Sequence, residues 1–135
     1  MNQPGDPILG RDDEWRRIEL HELKFKPRVF TVQQMCDVER LLPTICARGG
    51  WTHHAGAAGP DHVHEVLTGS ADGVDIRKWL KRWLGEELAR IYRLLPGETF
   101  WAECGSVKWI WTEEYFRRAR DYVFDQRATE RSQRR

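Results

Sequence analysis

Short runs of strand-favouring residues, bounded by proline and glycine and with imperfect alternation of apolar and polar positions, predict strands along this chain. "IELHELKF", residues 18–25, is rich in residues that favour strands and stops before Pro27, which cannot continue a hydrogen-bonded ladder. "WTHHAGAA" and "DHVHEVLTG" are two short extended runs with Gly-Pro between them, a pattern typical of a hairpin. "FWAECGSVKWIW", residues 100–111, is aromatic and β-branched around a central Gly-Ser, which predicts one strand or two short ones.

Three other segments place apolar residues at steps of three and four, as amphipathic helices do. The first begins after Thr31, which suits an N-cap, and ends at the pair Gly49–Gly50. The second covers residues 74–95, and its apolar stripe comprises Ile76, Leu80, Trp83, Leu84, Leu88, Ile91 and Leu95. The third follows Thr112 over residues 113–130, with acidic residues in its first turn and arginines toward its end, as the helix dipole favours.

The order strand, helix, strand, strand, helix, strand, helix predicts the fold class. It is typical of an α+β sandwich of the ferredoxin-like kind, an antiparallel sheet with helices packed on it. The length of 135 residues fits one domain, which we assign to residues 18–128. Residues 1–17 mix Pro, Gly and charge without a period and predict a tail or arm, and residues 129–135 form a basic tail.

Composition narrows the classes of partner. The formal net charge is +1, so no field of the whole protein draws it to nucleic acid or to a membrane, and any basic surface has to be local. Seven tryptophans exceed what packing one core requires, so some rings could face a ligand. The three cysteines form no C-x-x-C pair, the N-terminus does not resemble a signal peptide, and no apolar run approaches the roughly 20 residues of a membrane span. We therefore expect a soluble cytoplasmic protein without a membrane partner.

The stretch "GPDHVHEVLTG", residues 59–69, carries the first candidate chemistry. Side chains alternate across a strand, so His62 and His64 point to one face, about 6.5–7 Å apart along the backbone, while Val63 points to the other. Two imidazoles on one face can share a metal ion. Histidine pairs at this spacing also occur as structural residues of sheets, and the spacing taken alone favours that simpler interpretation.

Glu65 interrupts the apolar run on the opposite face of the same strand. It shares its side with Val63 and Leu67, where we expect helices to pack, and an unpaired carboxylate buried there would be strongly destabilising. We therefore predict that Glu65 lies near the sheet margin or meets an arginine or lysine. The neighbouring His53 and His54 face opposite ways, so at most one of them could join the face of the histidine pair.

The last predicted helix brings Tyr122 and Gln126 to one face, because residues four apart lie one above the other. A packing stripe formed with Tyr115, Ala119 and Val123 explains the tyrosine without any chemistry. Gln126 fits that explanation poorly, because a buried primary amide has to find hydrogen-bond partners.

Several stretches of the chain follow the order of a known family. They are "KFKPRVFT" after the first strand, "RGGW" at the end of the first helix, "GPDHVH", a basic second helix, "CGSVKW" and "YVFDQ". In this order the chain resembles the single-tyrosine HUH transposases, small enzymes of bacterial insertion sequences, with the REP-associated tyrosine transposases as a domesticated branch. The resemblance covers residues 18–128. A His-apolar-His motif alone is weakly specific, but its combination with Tyr-x-x-x-Gln on the last helix is strongly specific.

The resemblance implies a role for each matching residue. His62 and His64 match the two histidines of the HUH motif, and Gln126 matches the third metal ligand. Tyr122 matches the nucleophile. The family's fold is an RRM-like antiparallel sheet, and its members act as homodimers on single-stranded DNA, holding hairpins formed by imperfect palindromes. In this family the tyrosine helix of one subunit can complete the active site of the other.

These residue types suit the cleavage and rejoining of a DNA strand. Two imidazoles and an amide oxygen can hold a divalent cation, Mg²⁺ or Mn²⁺, that polarises a phosphate oxygen and orients the scissile bond. A deprotonated phenol can attack phosphorus, giving a 5′-phosphotyrosine and a free 3′-OH. Because the phosphoester is exchanged and not hydrolysed, the same site can rejoin strands without ATP. The resemblance thus implies a metal-dependent single-strand DNA endonuclease and strand-transferase, in short a transposase.

Binding of single-stranded DNA uses cations and aromatic rings at a surface. "RKWLKRW", residues 77–83, interleaves four basic residues with Trp79 and Trp83. A core position for Trp83 and a solvated basic face are the simpler explanation of that stretch. The last strand and the last helix add further cations and rings. The candidate DNA contacts are Arg77, Lys78, Lys81, Arg82, Lys108, Trp109 and Arg117.

Two other functions stay open at this point. A DNA- or RNA-binding module on the same fold, with its catalysis lost, would use the sheet, the basic helix and the tryptophans equally well. A structural zinc site formed by His62, His64 and either Cys46 or Cys104 is a weaker alternative, because the spacing of these residues does not favour it.

Overall fold

The computed structural model describes residues 17–25, 30–92 and 101–128. In chain order its elements are β1 (Arg17–Phe25), α1 (Val32–Gly49), β2 (Thr52–Ala58), β3 (His62–Gly69), α2 (Gly73–Tyr92), β4 (Trp101–Ile110) and α3 (Glu113–Asp125). This is the predicted order of elements, with β4 as one strand. The predicted arm up to residue 16, the last turn of the predicted second helix with Leu95, and the basic tail from residue 129 lie outside the described residues.

The four strands form one sheet in the order β2-β3-β1-β4, and all neighbours are antiparallel. Because α1 connects β1 to β2 and α2 connects β3 to β4, each connection passes over the strand that lies between its two ends. This is the ferredoxin-like arrangement, so the predicted α+β fold class is confirmed.

The main core lies between the sheet and the pair α1 and α2. Leu23 of β1 and Val63 and Leu67 of β3 occupy alternate positions on this face and are fully buried against Leu42 of α1 and Leu84 of α2. The alternation follows from the pleat, which sends successive side chains to opposite faces. One face of β3 is therefore committed to packing against these two helices.

Thr31 and Gly50 set the ends of α1, as the sequence predicts. The Thr31 hydroxyl accepts a hydrogen bond from the backbone N–H of Gln34, and the Gln34 amide oxygen accepts one from the backbone N–H of Thr31. Gly50 has a φ of 74°, the left-handed conformation in which glycine most readily ends a helix. The turn that follows leads directly into β2.

The buried stripe of α2 is shorter than the sequence predicts. Its buried apolar residues are Ile76, Leu80, Leu84 and Leu88. Ile91 is 48% exposed, because Tyr92, four residues after Leu88, takes the next inward position and its hydroxyl donates a hydrogen bond to Asp37 of α1. Neither α2 nor any other helix among the described residues is long and apolar enough to cross a membrane.

The other face of the sheet carries α3. This helix packs on β2 and β3, where Ala55, Ala57 and Val66 are buried against its Ala119 and Val123. The small alanines of β2 allow α3 to approach the sheet closely. As a result, α3 lies over the end of β3 that carries the histidine pair.

The third helix ends earlier than predicted, at Asp125 and not at residue 130. Gln126 is its C-cap, and the backbone N–H of Ala128 donates to a carboxylate oxygen of Glu39 at 2.7 Å. In a continuing helix, that N–H would bond to the carbonyl oxygen four residues earlier. The interaction with Glu39 therefore replaces the next helical hydrogen bond, a long-range effect that local periodicity does not reveal.

Candidate active site

His62 and His64 lie on the α3 face of β3, as the alternation predicts. Their ring centroids are 4.8 Å apart. Both side chains are partly buried, and the side chain of His64 is only 12% exposed. The two imidazoles are thus close enough to act on one ligand.

The C-terminal end of α3 brings Tyr122 and Gln126 to this pair. The Gln126 Oε1 atom lies 3.0 Å from His64 Nδ1. The ring centroid of Tyr122 lies 6.3 Å from that of His64, and the tyrosine is 56% exposed. The structure therefore gathers all four residues in one place, although Tyr122 follows His64 by 58 positions in the sequence.

Glu22 of β1 belongs to the same cluster, and the sequence did not indicate it. It lies directly opposite His64 in the register of β1 and β3, and its Oε2 atom is 2.9 Å from His64 Nε2. The hydrogen bond with His64 is the largest cause that holds the pKa of Glu22 below its ordinary value, with a further contribution from Lys24 at 3.3 Å. A carboxylate only accepts hydrogen bonds, so it fixes a proton on Nε2.

The hydrogen bond to Glu22 determines whether the other ring nitrogen of His64, Nδ1, carries a proton or a lone pair. With the proton on Nε2, the lone pair of Nδ1 faces Gln126 Oε1, so two acceptors lie 3.0 Å apart. Three arrangements would resolve this contact. They are a second proton on the His64 ring, a reversed Gln126 amide, or a cation held by Nδ1 and Oε1 together. A carboxylate behind a metal-binding imidazole is also a common arrangement in proteins, because it orients the ring and raises its basicity.

His62 is oriented from its other side. Its Nδ1 lies 2.8 Å from Asp61 Oδ1, a hydrogen bond that is the largest cause lowering the pKa of Asp61. A Cβ atom at Gly59 would lie 2.7 Å from Cε1 of the His62 ring, so the glycine keeps this position open for the imidazole. His62, Gly59 and Gln126 share a cavity of about 90 Å³.

A larger cavity adjoins His64 and opens along β1 and β4 beside α3. Its volume is about 260 Å³, and its lining residues are Leu20, Glu22, His64, Ser106, Lys108 and Tyr122. On the far side of Tyr122, a further cavity of about 370 Å³ is lined by Leu20, Tyr115, Arg118, Ala119 and Tyr122. The Tyr122 ring therefore lies between two cavities. The first of these cavities is also lined by His64 and Lys108.

Of the candidate DNA contacts, Lys108 lines the same cavity as Tyr122 and His64. Trp109, the next residue of β4, lies on the opposite face, where its ring contacts Trp111 at 4.0 Å and Arg17 at 4.7 Å. Arg117 lies on α3 and pairs with Glu113. The other four candidates, Arg77, Lys78, Lys81 and Arg82, belong to α2, which packs on the face of the sheet away from Tyr122.

The tryptophans of α2 form an aromatic cluster on that far side. Trp83 is partly buried between Trp51 and Trp79, with ring centroids at 5.6 Å and 5.1 Å. Arg48 lies over Trp83 at 4.5 Å, and Arg82 lies over Trp79 at 5.2 Å. Trp83 packs against the main core, in line with the simpler of the two interpretations, whereas Trp79 is 40% exposed.

Glu39 of α1 stabilises two chain segments next to the candidate site, and the sequence did not indicate this role. The residue is buried, and one oxygen, Oε2, accepts the backbone N–H of Ala58 at 2.9 Å and of Ala128 at 2.7 Å. Ala58 ends β2, and Ala128 follows Gln126 by two residues. A single carboxylate thus ties the chain around Gln126 to the end of β2, the strand next to the one that carries His62.

Glu65 behaves differently from the prediction. It is fully buried on β3, an interior strand, and it meets no arginine or lysine among the described residues. Its Oε1 lies 2.5 Å from His53 Nδ1 and 3.3 Å from the Cys46 sulfur. The prediction was wrong because β2 supplies a histidine as the partner: His53 pairs with Leu67, on the same face of the sheet as Glu65, and the register shift that follows His53 places Gly56 opposite Glu65.

Burial disfavours the charged form of the Glu65 carboxyl group. It raises the pKa of Glu65 to about 7, although the bond to His53 acts in the other direction. Burial and the nearby Glu65 carboxylate also raise the pKa of the Cys46 thiol. The side chains of Cys46, His53 and Glu65 lie on the face of the sheet that packs against α1 and α2. Cys46 is therefore across the sheet from His62 and His64, and the alternative zinc site formed by these three residues does not form. The side chain of Cys104 lies outside the described part of the chain.

Gly56 gives Glu65 its space, and replacing it with alanine tests this. A Cβ atom at position 56 would lie 2.6 Å from Leu42 Cδ1 and also against Glu65 Oε2, in a fully packed region. We expect Gly56→Ala to lower the free energy of unfolding by about 1–3 kcal/mol, as measured by urea denaturation. Gly85→Ala on the partly exposed side of α2 is a control and should be neutral or stabilising. A Gly56→Ala protein as stable as the wild type would contradict the close packing of Glu65.

Two solved structures share this fold. A candidate transposase from Deinococcus radiodurans R1 matches with a TM-score of 0.65 and 18% sequence identity, covering 94% of this chain and 98% of that chain. A REP-associated tyrosine transposase bound to a REP hairpin matches with a TM-score of 0.58 and 15% identity, covering 91% of this chain and 70% of that chain. No protein-family model matches the chain, and no curated protein matches it significantly. The resemblance to tyrosine transposases that the sequence predicts is therefore confirmed at the level of the fold.

Proposed function

We propose that this protein is a single-tyrosine transposase of the HUH type, a metal-dependent endonuclease and strand-transferase for single-stranded DNA. The observation that carries the proposal is the convergence of Tyr122, His64 and Gln126, with an exposed phenol beside two potential metal ligands. The shared fold of two proteins described as transposases supports it. A packing role for Tyr122 would predict a buried ring, and the ring is 56% exposed.

The donor set fits a divalent cation. His62 and His64 would supply imidazole nitrogens and Gln126 an amide oxygen, while Glu22 orients His64 through its other nitrogen. Nitrogen ligands suit Mn²⁺ better than Mg²⁺, so we expect Mn²⁺ to serve at least as well in vitro. When bound, the cation polarises a non-bridging phosphate oxygen and offsets its charge.

Tyr122 would act as the nucleophile on the phosphate. Its phenol loses a proton to solvent, and the oxygen forms a bond to phosphorus. The bond from phosphorus to the 3′ oxygen breaks, and that oxygen leaves with the electron pair and takes up a proton. The products are a 5′-phosphotyrosine and a 3′-OH, and attack by another 3′-OH reverses the step and joins strands.

Lys108 would hold the DNA phosphate at this site. It lines the same cavity as Tyr122 and His64 and is the one candidate DNA contact that does so among the described residues. The carboxylate of Glu22 in that cavity repels a phosphate, and Lys108 together with a bound cation would help to offset this repulsion. The basic side of α2 is a second, distant surface that a longer hairpin-bearing strand could reach.

The same proposal includes a DNA partner, an oligomeric state and a cellular location for the enzyme. Its partner would be single-stranded DNA with hairpin elements, as in the solved transposase bound to a REP hairpin. We propose a homodimer that acts in the bacterial cytoplasm. Because Tyr122 lies 6.3 Å from His64 of its own chain, nucleophile and metal ligands would come from one subunit. The domain that acts would comprise residues 18–128, between the N-terminal arm and the basic tail.

The formation of a covalent adduct tests the proposal. The full chain is incubated with labelled single-stranded hairpin DNA and Mn²⁺, and the mixture is run on a denaturing gel. We expect an adduct with the wild type and none with Tyr122→Phe. Tyr115→Phe is the matched control, because Tyr115 lies on the same helix and lines a cavity with Tyr122, and it should retain the adduct.

A binding module that has lost its catalysis is the second candidate. The aromatic and cationic surface of α2 favours it, because Trp79 and Arg82 lie away from the tyrosine and could hold DNA without any cleavage. Tight DNA binding without an adduct, for the wild type and for Tyr122→Phe alike, would support this candidate over the enzyme.

Glu22→Gln tests the role of the carboxylate behind His64. Glutamine keeps the size of the side chain but no longer requires a proton on Nε2 of His64, so the ring loses the partner that fixes its orientation. We expect the affinity for Mn²⁺ to fall about 10- to 100-fold in titration calorimetry. Glu113→Gln, which removes a carboxylate paired with Arg117 on α3, should leave the affinity unchanged. Equal affinities of the wild type and Glu22→Gln would rule out this role.

A further inference from the structure

A second cluster of potential metal ligands lies on the opposite face of β3. It consists of Cys46 at the end of α1, His53 at the start of β2 and Glu65 of β3. Their ligand atoms all lie within 4.8 Å of one another. The three residues come from three consecutive elements, so the fold itself brings them together.

The cluster has features that packing alone does not explain. Cys46 and Glu65 are fully buried, and Glu65 Oε2 has no hydrogen-bond partner among the described residues. A carboxylate buried in this way is strongly destabilising unless a positive charge or a full set of hydrogen bonds offsets it. His53 interacts with the other oxygen only, so one half of the carboxylate is left without a partner.

We propose that Cys46, His53 and Glu65 bind a zinc ion. Thiolate sulfur, imidazole nitrogen and carboxylate oxygen are the three ligand types that zinc takes from proteins. A doubly charged cation would offset the charge of the buried Glu65 carboxylate and that of the thiolate which Cys46 forms on binding the ion. His53 is 25% exposed, so an ion can reach the cluster from solvent beside β2 without unfolding the core.

The role of such a site would be structural. Glu65 and His64 are neighbours on β3 and face opposite sides of the sheet. An ion held by Cys46, His53 and Glu65 would therefore tie α1, β2 and β3 together directly beneath the candidate active site. It would reinforce the strand that carries the histidine pair, and it would take no part in the chemistry at Tyr122.

Cobalt can be used to separate this site from the first one. A cobalt ion bound to thiolate gives an intense charge-transfer absorption in the near ultraviolet, and the site of His62, His64 and Gln126 contains no sulfur. The test is made on the full chain with His62→Ala and His64→Ala, which removes two ligands of the first site. We expect this double variant to bind one zinc ion per chain in equilibrium dialysis and to show the cobalt–thiolate absorption.

Single changes at the cluster then identify the ligands. In the same background, His53→Gln and Cys46→Ser should each abolish the cobalt–thiolate absorption and weaken zinc binding at least about 100-fold. His53 is partly exposed, so His53→Gln keeps the test informative if the change at Cys46 prevents folding. Cys36→Ser and Cys104→Ser are controls and should keep the absorption.

Two results would overturn the zinc site. One is a folded double variant that binds no zinc, which would leave the cluster as a hydrogen-bonded triad. The other is zinc binding that survives His53→Gln and Cys46→Ser unchanged. Neither result depends on DNA cleavage, so the zinc site and the transposase activity stand or fall separately.

Discussion

Replacing His64 with alanine will lower the rate of strand cleavage by a factor of about 10³ or more. His64 contacts both Gln126 and Glu22, so its loss removes one ligand of the proposed metal site and the contact partner of these two side chains. Metal polarisation of a phosphate contributes several kcal/mol to transition-state stabilisation, and each 1.36 kcal/mol corresponds to about a tenfold change in rate. The measurement is the single-turnover rate of adduct formation in saturating Mn²⁺.

His54→Ala is the matched control for that experiment. His54 is also a histidine of the sheet, and it bonds to Thr68 at 2.6 Å and packs on Phe116, away from Tyr122. Burial is the largest cause that lowers the pKa of His54, which agrees with a packed structural imidazole. We expect cleavage by His54→Ala to stay within about threefold of the wild type. Equal losses for both variants would mean that the effect of His64 is a general loss of structure.

Glu39→Ala will strongly destabilise the fold. It leaves the backbone N–H groups of Ala58 and Ala128 without an acceptor, and each unsatisfied buried donor costs about 1–3 kcal/mol. We expect the free energy of unfolding to fall by about 3–5 kcal/mol in urea denaturation. The affinity for Mn²⁺ should fall as well, because Gln126 lies in the segment that Glu39 holds.

Glu39→Gln separates the hydrogen bonds from the charge. Both N–H groups donate to one oxygen, Oε2, so an amide oxygen at that place can still accept both. We expect a loss of only about 1–2 kcal/mol, with Mn²⁺ binding retained. If Glu39→Ala and Glu39→Gln were equally stable, or if Glu39→Ala cost less than 1 kcal/mol, the two backbone hydrogen bonds would not hold this end of the fold.

Local patterns predicted the parts of the site that lie along single elements. The period of two in β3 is enough to assign His62 and His64 to one face, and the period near four in α3 aligns Tyr122 with Gln126. Both patterns act over a few residues, so they survive in any register of the sheet. The structure adds that the two elements meet, which depends on the packing of α3 on β2 and β3.

The supporting residues could not be predicted in this way, because each depends on long-range pairing. Glu22 faces His64 only in the register that β1 and β3 adopt, and alternation does not determine a register. Glu39 acts on an N–H group 89 residues later in the chain. The pairing of Glu65 with His53 joins β3 to β2, and the register between these strands shifts after His53, which local alternation does not reveal.

The basic stretch of α2 shows a second limit of prediction from the sequence. Cations interleaved with tryptophans predict a nucleic-acid surface by composition, but the topology determines on which side of the sheet that surface lies. Here α2 covers the face opposite to Tyr122, so Lys108 of β4 is the better candidate for contact with the reacting phosphate. Its signal in the sequence was one lysine at an alternate position of a strand, which is weak by itself.

Mapping the covalent adduct by mass spectrometry tests the central claim most directly. The three tyrosines of the chain fall into three different tryptic peptides, and Tyr122 is the only tyrosine in "DYVFDQR", residues 121–127. After reaction with hairpin DNA and Mn²⁺, followed by digestion with nuclease and trypsin, we expect this peptide to carry a nucleotide linked through its 5′ phosphate. An adduct on the peptide of Tyr115 or Tyr92, or cleaved DNA with an unmodified "DYVFDQR" peptide at every time point, would contradict Tyr122 as the nucleophile.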